Sequence, residues 1–143
     1  MAVGLAFFWI CVRAGASQRA RRNVEFKRGD SGEIVTKDGV RLGFTDFKAS
    51  DGAVLRVLYW DFENQTDATE VLDKEVAQAT KIIERAAKRD RAGKLVGERV
   101  EVEFPSTKPH EILHGILWTD GPKFHEIQSI ALSDLRELEK VYK

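Results

Sequence analysis

The chain has 143 residues, with Lys plus Arg and Asp plus Glu both at 23, so its formal net charge is zero. That size supports one hydrophobic core, and the charge balance argues against a nucleic-acid binder, which carries a basic excess. With 43% hydrophobic and 32% charged residues the composition is that of a folded chain, and the single cysteine, Cys11, excludes both an intrachain disulfide framework and a cysteine zinc site.

The uncharged run Ala2 to Val12, AVGLAFFWICV, falls well short of the roughly 20 residues that a membrane-spanning helix needs. It suits the apolar segment of a secretory signal, and Ala14-Gly15-Ala16 supplies the small residues read at a cleavage site. Residues 1–16 are therefore expected to be a signal peptide cut after Ala16. That leaves an exported, periplasmic or secreted chain with no cysteine and no stable membrane span. No Lys or Arg precedes the apolar run, which departs from the usual signal pattern. Residues 17–32, SQRARRNVEFKRGDSG, read as a basic linker at the mature N-terminus, and residues 33–143 as one α+β domain.

Strand signals follow. GEIVTKDGVRLG brackets Asp38-Gly39, and FTDFKASDGAVLRVLYWDF brackets Asp51-Gly52; Asp-Gly is a hairpin signal. In the second arm, Val54, Arg56, Leu58, Trp60 and Phe62 alternate with Leu55, Val57 and Tyr59. Apolar residues on both faces predict a central strand covered on both sides.

Apolar residues at helical spacing, from Ala68 through Val71, Leu72, Val76, Ala79, Ile82, Ile83, Ala86 and Ala87, predict one long helix over about 68–91, capped by Thr66 or Asp67 and stopped at Gly93. Glu98 to Phe104 alternates strictly, as a strand with one wet face does. Residues 110–118 and KFHEIQSI read as the arms of a hairpin around the turn Thr119-Asp120-Gly121-Pro122-Lys123, and Leu132 to Tyr142 as a short C-terminal helix capped by Ser133. The expected fold is an α+β two-layer sandwich, a mostly antiparallel sheet with its helices on one side.

HEILHG, residues 110–115, carries the one chemical motif. On a helix His110 and His114 would lie about 6 Å apart. They could then hold zinc while Glu111 acts as general base and His125, or Glu126, completes the ligand set. In that form HEILH resembles the short zinc metalloproteases, which implies a minimal zinc-dependent hydrolase. The extended pattern with a third histidine after the second is absent. Gly115, the preceding Pro109 and the brevity of the run favour a strand, on which the histidines would stand about 13 Å apart at roughly 3.3 Å per residue. The resulting expectation is no resident metal or other cofactor, with zinc as the alternative.

Other chemistry is thin. Asp61 and Glu63 could pair as acid and base but read as loop residues. Tyr59, Trp60, Phe62 and Trp118 are the candidate ligand-pocket residues. WTDGPKFHEIQSIALSDLRELEKVY and DFKASDGAVLRVLYWDF resemble segments of small exported bacterial α+β proteins with no assigned activity. The resemblance implies export and a compact domain, and it carries over no catalytic residue. The expectation is a non-enzymatic domain that binds a small molecule or a protein, and no nucleic acid.

Overall fold

The computed structural model describes residues 24–142; the signal segment, its cleavage point and the linker up to residue 23 lie outside the described residues. Seven strands and two helices follow in order: β1 (Phe26–Val35), β2 (Arg41–Ala49), β3 (Val54–Asp61), α1 (Gln65–Ala77), β4 (Lys81–Arg89), β5 (Leu95–Phe104), β6 (Leu113–Asp120), β7 (Lys123–Ser129) and α2 (Leu132–Val141). All strands join one sheet in the order β1-β2-β3-β7-β6-β5-β4, every neighbouring pair antiparallel. The fold is mixed α+β, as expected. β1 opens at Phe26, inside the stretch read as a linker.

The hairpins form where turn chemistry predicts them. Gly52 and Gly121 take φ of +91° and +59°, the left-handed region that a side chain disfavours, and the Asp51 carboxylate accepts from the Ala53 N–H. β3 lies between β2 and β7, the covered central position its two apolar faces predicted.

The long helix over 68–91 is not formed. α1 is capped earlier, by Asn64, whose side chain accepts from the Asp67 N–H, and it ends at Ala77. Gln78 and Ala79 bond back to Glu75 and Val76 as a tightening last turn, and the next residue, Thr80, donates to the Glu103 carbonyl. From there the chain is β4, an edge strand paired only with β5. Residues 81–87 are all exposed, so Ile82, Ile83, Ala86 and Ala87 pack as no helical stripe. An edge strand held by backbone bonds along one side needs no buried side chains. It therefore leaves no period-2 signal, and the helix-favouring Glu84-Arg85-Ala86-Ala87 dominates the sequence reading. Charged residues and two register shifts along β4 guard its open side against further pairing. Gly93, read as a helix stop, sits at φ +81° in the β4–β5 turn, where the Asp90 carboxylate accepts from Ala92 and Lys94.

The two helices do not share a side of the sheet. Successive strand residues face opposite ways, and the core divides accordingly. Phe47, Leu55, Val57, Ile116, Trp118 and Ile127 meet Leu135 and Leu138 of α2. Val100, Val102, Phe104, Leu117 and Phe124 meet Leu72 and Val76 of α1. Ile116, Leu117 and Trp118 are consecutive, so the arrangement is helix, sheet, helix in place of the expected two layers. Three antiparallel strands presenting apolar residues on both faces need a cover on each.

An ionic clamp fixes α2. Glu101, 1% exposed, accepts from Arg136 of α2 at 2.7 and 3.0 Å and from Arg99 at 2.6 Å, while Arg99 also donates to Glu139 of α2 at 2.5 and 2.7 Å. α2 has no side-chain N-cap of its own; Ala131 is its N-cap residue, and Ser133 lies inside the helix.

Close backbone packing fixes β5 against β6. A Cβ at Gly97 would collide with the Thr119 carbonyl, backbone that cannot turn aside. Gly97→Ala is expected to lower stability by about 3 kcal/mol, at the upper end for an overpacked site, read as a fall in the urea midpoint at unchanged m-value.

Candidate functional site

HEILHG does not form the helical zinc motif. His110 sits at φ +65° in the turn before β6, and His114 is the second residue of that strand. His110 is exposed and His114 half-buried. His125, the third ligand of the metal reading, pairs with Trp118 in the β6–β7 ladder, while His114 pairs with Ser129. That four-residue offset along β6 separates the two histidines by about 13 Å. Among the described residues, no group of three or more His, Cys, Asp or Glu side chains is arranged to hold a metal ion.

The four aromatic candidates separate into two pairs. Tyr59 and Trp118 lie on the α2 face. Trp60 and Phe62 lie on the α1 face, in contact with each other at 4.8 Å between ring centres. Asp61 and Glu63 are exposed, and Asp61 lies 3.6 Å from Lys123.

Around Tyr59 and Trp118 the sheet assembles a cluster that the sequence reading did not collect. β7 pairs His125 with Tyr59 on one side and Trp118 on the other. The imidazole stacks on Trp118 at 4.9 Å with 8° between planes, and Tyr59 lies 6.4 Å away. Tyr142, just past the end of α2, closes the group edge-on, 5.5 Å from His125, 5.7 Å from Trp118 and 5.8 Å from Phe47. Gly43 of β2 leaves room for the Tyr59 ring, which occupies the space a Cβ would take. Lys88 sits 5.3 Å from the centre of the Trp118 ring, a cation–π contact.

His125 is 7% exposed. Burial, with Lys88 adding to it, pushes its imidazole down to about 4, so the ring is neutral near pH 7. Its Nδ1 is buried, with no hydrogen-bond partner among the described residues. Burial also lowers the Lys88 ammonium and raises the Tyr142 phenol. The surrounding rim mixes Arg28, Lys88 and Lys123 with Asp61, Asp120 and Glu139, so neither sign of charge dominates.

The α1 face holds a second polar feature. Glu126 of β7 and Glu75 of α1 are 1% and 3% exposed. Gln128 donates to Glu126 at 2.8 Å, and among the described residues no Lys or Arg pairs with either carboxyl. Burial raises both; Glu126 adds to the rise at Glu75, while the Gln128 amide opposes it at Glu126.

The chain matches no family model, no curated protein and no solved structure. Within the sequence, Trp118 and His125 were legible as residues of the two arms of one hairpin, but their pairing depends on the register set by Asp120 opposite Lys123. Tyr142 was not, because its place depends on how α2 returns across the sheet.

Proposed function

We propose that this chain is a non-catalytic binding domain, and that it receives a small, uncharged, planar ligand at Tyr59, Trp118, His125 and Tyr142. The observation that carries the reading is the buried Nδ1 of His125, a polar atom without a partner among three aromatic rings. Natural interiors satisfy such atoms, and an imidazole kept neutral by burial offers one donor and one acceptor. The stacked rings supply flat apolar surface for a planar group, and the balanced rim gives no field to favour an anion or a cation. The composition of residues 2–16 supports export of this domain from the cytoplasm.

Benzimidazole and indole at pH 7.5 are suitable neutral probes, with phenyl phosphate as the charged comparison. Both neutral probes are expected to shift the His125 ring resonances at millimolar concentration or below, and phenyl phosphate to bind at least about tenfold more weakly. His125→Leu keeps the apolar volume and is expected to weaken the neutral probes by about tenfold, the value of one hydrogen bond near 1.4 kcal/mol. Unchanged affinity in His125→Leu would remove the imidazole from the site and the reading with it.

A further inference from the structure

Besides Glu101 and Asp134, the described residues bury two further carboxyls, Glu75 and Glu126, and the proposed site uses neither. Glu75 lies on the buried side of α1, Glu126 on the face of β7 that α1 covers, and the two are near enough for the charge of Glu126 to act on Glu75. From α1 the surrounding side chains are Leu72 and Val76. From the sheet they are Val100 and Val102 of β5, Leu117 of β6 and Phe124 of β7. Leu58 of β3 and Leu117 of β6 stand directly beside Glu126 in the ladders.

The charged groups on this face are engaged elsewhere. Arg56 of β3 donates to Asp46 of β2 at 2.7 and 3.0 Å. Arg85 of β4 is held by Glu98 of β5 and by Asp73 of α1. On α1 itself Glu70, Asp73 and Lys74 are exposed and Asp67 is half-buried beside Asn64. Among the described residues, the side chain that bonds to the pair is Gln128, through its amide N–H. Two ionised carboxylates in that setting would have neither water nor a counter-charge.

We propose that α1 is a proton-dependent latch: it stays docked while Glu75 and Glu126 retain a proton, and it loosens from β5, β6 and β7 when both carboxyls ionise. The loosened state gives both groups water and uncovers the apolar face formed by Val100, Val102, Phe104, Leu117 and Phe124. The sign follows from linkage. These carboxyls hold protons more tightly in the docked form than in the open one, so docking is favoured at low pH and lost as pH rises past neutrality. α2 lies on the opposite face and keeps its own clamp, so the opening is local.

Amide hydrogen exchange of the whole chain, corrected for intrinsic rates, reads the two helices separately. Between about pH 6 and about pH 9, protection across residues 65–77 is expected to fall by at least about tenfold, while residues 132–141 hold theirs. In Glu75→Gln/Glu126→Gln, whose side chains are neutral at every pH, α1 protection is expected to be the same at both values. Either single glutamine variant, with one ionisable carboxyl left, is expected to fall in between and serves if the double variant does not fold. Loss of protection in both helices together, no loss in the wild type, or equal loss in the wild type and the glutamine variants would overturn the latch.

Discussion

Replacing Glu101 with glutamine is expected to destabilise the protein by about 3 kcal/mol, and to weaken the hold on α2 before anything else. Glu101 is the shared acceptor of Arg99 and Arg136, and its side chain is 2% exposed. Removing one partner of a buried ion pair costs about 3–5 kcal/mol. Arg136 reaches solvent and Arg99 keeps Glu139, which places the loss at the lower end. The proton affinity of Glu101 points the same way. The guanidiniums of Arg136 and Arg99 hold the Glu101 carboxyl down to about 2, against an ordinary 4.5. That difference contributes about 3 kcal/mol near neutral pH.

Because the folded-state value is depressed, this stability is present above about pH 4.5 and is lost as pH falls toward 2. His125 acts in the same direction over a higher window. Its imidazole takes a proton freely in the unfolded chain near 6.5 but resists down to about 4 when folded, so each step of acidification through that range favours unfolding. Urea midpoints measured from pH 7 to pH 3 should fall across both windows in Glu75→Gln/Glu126→Gln, a background without the opposing gain that those two carboxyls give on acidification. They should keep only the His125 portion when Glu101→Gln is added. A profile flat down to pH 4 in that glutamine background would show that His125 is not buried as described.

The second large effect separates the two faces. Leu72 of α1 and Leu135 of α2 are both fully buried, and truncating either to alanine is expected to cost about 3 kcal/mol, within the range for buried leucines. Their clusters lie on opposite faces of the sheet and share no residue. The two losses should therefore add to within about 0.5 kcal/mol, a cycle best run in sucrose so that the double variant stays folded. A coupling of 1 kcal/mol or more would point to helices side by side on one face, the arrangement the sequence alone suggested.

The difference between that expectation and the fold has a physical origin. Hairpins and strict alternation are local: Asp51-Gly52, the alternation of Glu98 to Phe104, and the C-terminal helix were all readable from neighbouring residues. Which face a helix covers is decided by how the chain returns across the sheet, and no local pattern encodes it. β4 was misread for a related reason. Ile82, Ile83, Ala86 and Ala87 sit at helical intervals, but the strand they form is held by β5, a partner chosen by topology. The candidate site divides the same way. Tyr59 and Trp118 were visible as aromatics on one strand face each, and HEILHG was visible as a motif that only a helix would make chemical. The exclusion of Trp60 and Phe62 follows from strand parity once both faces are known to be covered. Tyr142, and the burial that makes His125 neutral, required the finished packing.

The most direct measurement is an intermolecular NOE map of bound benzimidazole on the isotopically labelled protein at pH 7.5. The binding reading predicts contacts from the probe to the rings of Tyr59, Trp118, His125 and Tyr142, with none to Trp60 or Phe62 on the other face. Contacts confined to Trp60 and Phe62, or none at saturating probe, would contradict it.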